Sequence, residues 1–228
     1  MGGLTRLVLV SMLFGCTPVD CDIVNMAAPE SIEHISLFNS NLEKRSRDAT
    51  VRITSFDEHG NRVRGSGAYI VYKGGHYILT AAHVIDGSPT AMIEGYGETI
   101  IGEVAYTDID TDVALISIAG MITKDPLRWR VSKDHDIGDE LIYSGYPNSV
   151  GMLTIKGSIA GYDGSMVILH SYVWKGASGS AVLDSQGRII GVVSAVDVGT
   201  DIVGFPTIIE DVGFVVPVFK VEEFLKNK

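Results

Sequence analysis

From residue 49 onward the chain consists of short apolar runs separated by turn-forming residues. Runs at 49–56, 67–72 and 76–80 are rich in Val, Ile and Tyr, and are broken by Asp57-Glu58-His59-Gly60-Asn61 and Lys73-Gly74-Gly75. Further runs lie at 99–106, 113–118, 140–144, 152–159, 165–170, 180–183 and 188–196. Runs of this length and spacing predict strands, and their number predicts an all-β sandwich or barrel. The stretch 119–138 is less periodic, holds Pro126 and charges of both signs, and reads as a connection between two halves. A helical pattern comes only at the end, where Val218, Val221, Phe224 and Leu225 recur three and four apart after Pro217. That spacing puts them on one face of a helix, and proline suits its start.

Upstream, 17–47 carries Pro18, Pro29 and the basic patch Lys44-Arg45-Ser46-Arg47 with weak apolar periodicity. It reads as a linker with one short helix near 31–42. The first sixteen residues have the texture of an address: Arg6, an apolar run over 7–14, then Gly15 and Cys16. This matches a secretory signal and is too short to span a bilayer. Two readings stay open. Leu13-Phe14-Gly15-Cys16 resembles a bacterial lipobox, in which cleavage precedes Cys16 and that cysteine takes lipid, attaching the protein to a membrane. Otherwise the segment is a plain signal or a leader that stays in place. Export to a bacterial cell envelope or secretion follows if it is a signal, and a cytoplasmic or phage-associated protein if it is not.

The 228 residues, 46% hydrophobic and 20% charged, suffice for one compact domain or two small packed halves. With 18 Lys plus Arg against 28 Asp plus Glu, the net charge of −10 would repel a phosphate backbone, which argues against nucleic acid as a partner. The two cysteines, Cys16 and Cys21, both precede the folded region, so no disulfide staples the core.

Three motifs carry chemistry. Leu79-Thr80-Ala81-Ala82-His83-Val84 ends a strand on a histidine, Thr111-Asp112-Val113-Ala114-Leu115-Ile116 opens a strand on an acid, and Gly176-Ala177-Ser178-Gly179-Ser180-Ala181 sets a serine between glycines. His, Asp and Ser in this order, 29 and 66 residues apart, resemble the chymotrypsin-like serine peptidases, and among them the HtrA-type and glutamyl-endopeptidase-type bacterial branch. Ala49-Thr50-Val51-Arg52-Ile53, Gly65-Ser66-Gly67, Gly145-Tyr146-Pro147 with Gly151 and Gly157, and Gly213-Phe214-Val215-Val216-Pro217 extend the resemblance over about residues 48–228.

The resemblance implies an all-β fold of two six-stranded antiparallel β-barrels with a C-terminal helix. Barrel one would cover about 48–118, the connection 119–137, barrel two about 138–217 and the helix 217–227. It also implies a serine endopeptidase that acts on a protein or peptide substrate through an acyl-enzyme and needs no cofactor or metal. Many HtrA-type proteins carry a following peptide-binding domain, but the sequence stops soon after the closing helix and none is expected here. A serine hydroxyl attacks only when a base takes its proton, and an imidazole of ordinary pKa about 6.5 can do so near neutrality. His83 takes that role, Asp112 fixes its tautomer, and Ser178 is the nucleophile. The N–H groups of Gly176 and Ser178 would form the oxyanion hole. Oligomeric state is not legible.

Neighbouring residues compete for these roles. Asp108 and Asp110 precede the same strand as Asp112, and the family pattern selects Asp112. Asp108-x-Asp110-x-Asp112 imitates a calcium loop, but its required glycine is Val113 and its closing glutamate Ala119. Gly65-Ser66-Gly67 reads better as the tight start of a strand than as a second nucleophile or a phosphate loop. His59, His76 and His135 read as exposed, and His170 as packed or capping rather than lining the cleft. Two departures from the family pattern bear on rate: Ser180 and Ala181 follow the nucleophile's glycine where glycine and proline are common, and Ala177 precedes the nucleophile where Asn or Asp is common. The primary pocket would be walled by 170–175 and 193–196. The resemblance implies that Tyr172 lies near the position that sets charge preference and that Ser194, Ala195 and Val196 would hold the substrate backbone by strand addition. An uncharged, small to medium apolar side chain before the cut bond is expected. The alternatives are an inactive, peptide-binding relative of the same fold and a virion-associated protein that cleaves only itself.

Overall fold

The computed structural model describes residues 41–120, 122, 123, 125–147, 151–200 and 206–228, with backbone alone at 195–200 and 206–210. They belong to one compact unit, Asn39–Lys228. The leader and its Cys16, and the short helix expected near 31–42 up to residue 40, lie outside the described residues.

Six antiparallel strands close the first barrel: β1 (Thr50–Phe56), β2 (Arg62–Tyr72), β3 (Gly75–Thr80), β4 (Thr90–Gly95), β5 (Glu98–Asp108) and β6 (Val113–Ser117). Their order is β1-β4-β5-β6-β3-β2, and β2 returns to β1. A short strand, β7 (Leu127–Arg128), adds to β2 in parallel from the connection. The second barrel takes β8 (Glu140–Gly145), β9 (Leu153–Asp163), β10 (Met166–His170), β11 (Ala181–Asp184), β12 (Ile189–Thr200) and β13 (Pro206–Pro217), closed in the order β10-β13-β12-β11-β8-β9. Helix α2 (Phe219–Lys226) follows. Two six-stranded antiparallel barrels and a closing helix are the architecture expected from the sequence.

Local chemistry accounts for the hairpins. Tyr72 pairs with Gly75 and Gly95 with Glu98, leaving Lys73-Gly74 and Tyr96-Gly97 as two-residue turns with φ values of 46° and 81°, and 48° and 78°. Such turns need left-handed backbone at both positions, which glycine supplies cheaply at the second. Strand β4 was not among the sequence-predicted runs. Its inward set is only Ala91, Ile93 and Gly95, interrupted by Glu94, so the Tyr96-Gly97 turn was its best signal.

Alternation along the strands builds three cores. Val51, Ile53, Tyr69, Ile78, Ile93 and Ile116 fill barrel one. Tyr143, Ile159, Leu169, Val182, Val193 and Val215 fill barrel two. The opposite faces of the same strands, Leu79, Val113, Leu115, Ile142, Leu183 and Val216, join Val221 and Leu225 of α2 in a seam between the barrels. Strands β6 and β11 are therefore buried on both faces, and this is why they read as continuous apolar runs.

Residues 41–47, read from the sequence as linker, belong instead to helix α1 (Asn41–Ala49). Polar bonds hold it to barrel two: Ser46 Oγ to Ser144 Oγ at 2.8 Å, Arg47 Nη1 to Thr154 Oγ1 at 2.9 Å, and Lys156 Nζ to Glu43 Oε1 at 2.6 Å. A helix fixed this way carries no apolar periodicity to detect. The chain then enters β1, so α1 straps the second barrel to the first. Among the described residues no helix is long and apolar enough to cross a membrane.

Candidate active site

The register of barrel one brings His83 and Asp112 together. Thr80 at the end of β3 pairs with Ala114 at the start of β6, so the residues beyond each strand meet at one rim. His83 sits in the 3-10 turn Ala82–Val84 just past β3. Asp112 closes the β5–β6 hairpin with φ 50°, a left-handed conformation that Asp tolerates better than most residues. Its Oδ2 lies 2.8 Å and its Oδ1 3.0 Å from His83 Nδ1, and Oδ1 also accepts the His83 backbone N–H at 2.9 Å. The carboxylate thus grips ring and backbone together, while the imidazole is half exposed. Burial pushes the Asp112 carboxyl up, but hydrogen bonds from His83 and Ser194 outweigh it and hold the group below its ordinary value. Asp108 instead accepts the Thr111 N–H at 3.0 Å within the turn, and Asp110 is exposed.

Ser178 belongs to barrel two but is shaped by barrel one. Its carbonyl accepts the Ser66 N–H of β2 at 2.8 Å. Ser66 is fully buried, donates its hydroxyl to Gly176 O at 2.7 Å, and accepts the Tyr146 N–H at 2.9 Å. Gly65-Ser66-Gly67 is a strand segment, as expected, yet Ser66 also clamps the nucleophile loop, a role the sequence reading missed. Gly179 has φ 88°, and a Cβ there would stand 2.1 Å from Ser66 O and 2.3 Å from Thr80 Oγ1, so a side chain has no room.

Around Ser178 the backbone donors divide cleanly. Ala177 N–H goes to Trp174 O at 2.9 Å, Gly179 N–H to Val193 O at 2.7 Å and Ser180 N–H to Ala177 O at 3.0 Å. Among the described residues the N–H groups of Gly176 and Ser178 have no partner. Gly176, with φ 97°, supplies the turn that leaves them unused. The Ser178 hydroxyl donates to Ser194 O at 3.1 Å.

The two family departures have local answers. Ala177 is buried in the core of barrel two, so its methyl packs where a polar side chain would need a partner. Ser180 is fully buried beside Gly145, where an added Cβ would lie 2.2 Å from Ser180 Oγ. The missing Cβ of Gly145 makes the room, though the Ser180 hydroxyl has no hydrogen-bond partner.

Ser194 has a wider role than the sequence reading gave it. Its hydroxyl donates to Asp112 Oδ2, and the β12–β13 register shifts between Val193 and Ala195, so Ser194 sits at an irregularity in the strand. Ala195 and Val196 pair with Phe214 and Gly213 through the backbone. Tyr172 is 58% and Trp174 48% exposed, their rings 6.2 Å apart, while the Tyr172 carbonyl accepts the Tyr143 hydroxyl. His170 is exposed at the end of β10. His76 differs from expectation: it is half-buried, bonded to the Tyr69 hydroxyl and stacked on that ring at 5.9 Å. His135 likewise stacks on Tyr162 at 5.8 Å.

The chain is similar to known serine proteases in sequence and in fold. The putative serine protease HhoA of a Synechocystis species is 25% identical over 158 residues, covering 63% of this chain and 40% of its own. The serine protease Do-like HtrA of Lactobacillus helveticus is 28% identical over 144 residues, covering 57% and 35%. The chain thus spans less than half the length of these relatives. In fold it is similar to the serine endoprotease from Yersinia pestis, with a TM-score of 0.65 at 24% identity over 83% of this chain and 68% of that one. It is likewise similar to the active form of the Rv3671c protease from M. tuberculosis, with a TM-score of 0.66 at 21% identity over 84% and 85%. Residues 65–192 match the trypsin-like peptidase domain, and the chain belongs to that family.

Proposed function

We propose that the protein is a serine endopeptidase in which His83, Asp112 and Ser178 hydrolyse peptide bonds through an acyl-enzyme. One observation carries this reading. The Asp112–His83 pair, with its 2.8 Å contact at Nδ1, is joined through Ser194 to Ser178, whose loop leaves the Gly176 and Ser178 N–H groups uncommitted.

Asp112, ionised at neutral pH, holds the proton of His83 on Nδ1 and leaves Nε2 with a lone pair. Rotation of Ser178 about its Cα–Cβ bond carries Oγ from Ser194 O toward that lone pair, and hydrogen bonds of this kind tighten when substrate binds. Oγ attacks the peptide carbonyl as Nε2 takes its proton. The carbonyl oxygen becomes an oxyanion facing the Gly176 and Ser178 N–H groups, where one well-placed donor is worth about 3 kcal/mol. The imidazolium returns the proton to the leaving amine, and a water then repeats the cycle against the ester. The exposed rings of Tyr172 and Trp174 support an uncharged apolar side chain before the cut bond; cleavage confined to Lys and Arg would overturn that preference.

The test is intact mass after incubation with a fluorophosphonate. One adduct on the protein and none on Ser178→Ala or His83→Ala is the expected result. A folded protein that stays unlabelled favours a peptide-binding relative, which the 3.1 Å bond from Ser178 Oγ to Ser194 O would suit.

A further inference from the structure

Arg45, Arg128 and Arg130 line a cavity of about 380 Å3 together with Asp125, Pro126 and Leu127. The local chain conformation explains the grouping. In the extended segment through β7, Leu127, Trp129 and Val131 turn to the apolar seam, so Arg128 and Arg130 share the other face, roughly 7 Å apart at strand spacing. Arg45 comes from α1, where its guanidinium lies over the β11–β12 turn, 2.8 Å from where a Cβ on Gly187 would stand.

Three arginines of this protein are matched to acceptors, Arg47 to Thr154, Arg52 to Glu94 and Arg188 to Asp184, while Arg62 stands exposed on β2 away from this cavity. Among the described residues the guanidinium groups of Arg45, Arg128 and Arg130 have no hydrogen-bond or ion-pair partner. The one carboxylate in the cavity, Asp125, faces Lys44 Nζ at 3.9 Å. Three unmatched guanidinium groups therefore converge in a chain of net charge −10, where carboxylates are plentiful elsewhere. Their mutual repulsion is relieved by an anion, and the planar fork of arginine suits a phosphate group in two-point contact.

We infer that this cavity is a binding site for a phosphate-class oxyanion, either free or carried as a monoester. At about 30 Å3 per water the volume admits the phosphate and the first atoms of a carrier. The site lies apart from the candidate active site: Arg128 pairs with Val71 on β2, five residues and roughly 16 Å along the strand from Ser66. An occupant would tie α1, the inter-barrel connection and the β11–β12 turn together.

The test titrates the full chain with inorganic phosphate and with phenyl phosphate, following heat of binding and melting temperature, against sodium chloride of equal ionic strength. Saturable binding with a rise in melting temperature that chloride does not reproduce is expected. Binding should weaken at least tenfold in Arg128→Gln and in Arg130→Gln, with melting in chloride unchanged because both side chains are exposed. Arg45→Gln should weaken it similarly. Tighter binding of phenyl phosphate than of phosphate would identify a carried group, and the reverse a free ion. A shift matched by chloride, or phosphate binding intact in the Gln variants, would overturn the inference.

Discussion

Ser194 and Asp112, 82 positions apart in sequence, share a hydrogen bond in which the serine hydroxyl donates to Oδ2. The same residue accepts the Ser178 hydroxyl through its carbonyl, so it touches acid and serine at once. Ser194→Ala removes a donor that helps hold Asp112 ionised and aimed at His83. Peptide hydrolysis should lose about tenfold in kcat, the worth of one hydrogen bond to a charged group, with KM little changed. Ser194→Thr keeps a hydroxyl and should recover most of it. Equal kcat in all three proteins would remove Ser194 from the machinery.

Ser66→Ala strips the Tyr146 N–H of its acceptor and Gly176 O of its donor. Orphaning such buried groups costs about 1–3 kcal/mol, or several degrees in melting temperature for a chain of this size. Activity should fall further than stability explains, because the Gly176 carbonyl loses the bond that orients its peptide unit. Scanning calorimetry beside fluorophosphonate labelling rates separates the two effects.

Ser180→Ala points the other way. The hydroxyl is fully buried and has no partner, so deleting it should leave stability unchanged or raise it by about 1 kcal/mol. A loss above that, read by urea denaturation, would show that the hydroxyl binds a water.

Asp184 carries a pH dependence. Burial pushes its carboxyl up, but bonds from the Arg188 backbone and side chain, from Ser132 and from the Gln186 N–H outweigh burial, and the group is held below its ordinary value of 3.8. A folded-state value lower than the unfolded one stabilises the protein above the unfolded value, and the gain is lost as pH falls through the folded one. Asp184→Asn should therefore cost about 1–3 kcal/mol at pH 7, and the gap from the parent should close below about pH 4. A gap that stays constant from pH 7 to pH 3 would show the charge to be irrelevant.

The fold was legible where burial is one-sided or complete. Alternation and turn residues mark most strands, and Val218, Val221 and Leu225 mark α2 because their face packs on the seam. Strand β4 and helix α1 escaped, the first because its inward set is small, the second because serines, Arg47 and Glu43 hold it. The positions of His83, Asp112 and Ser178 could be read because each lies beside a strand end in a compact motif. Ser66 as a clamp and Ser194 as a donor could not, since both roles depend on partners 80 or more residues away. The arginine cavity was equally hidden: Arg45 lay in an apparent linker, and only the fold brings it to Arg128 and Arg130.

The bond from Ser66 to Ser178 also orders events in time. The ribosome delivers β2 and the His83–Asp112 pair before the serine segment exists, and that segment gains its bonds to Ser66 only when it docks on β2. A half-made or unfolded chain therefore holds an unarmed serine. On the proposed function, competence to cut becomes a signature of finished folding.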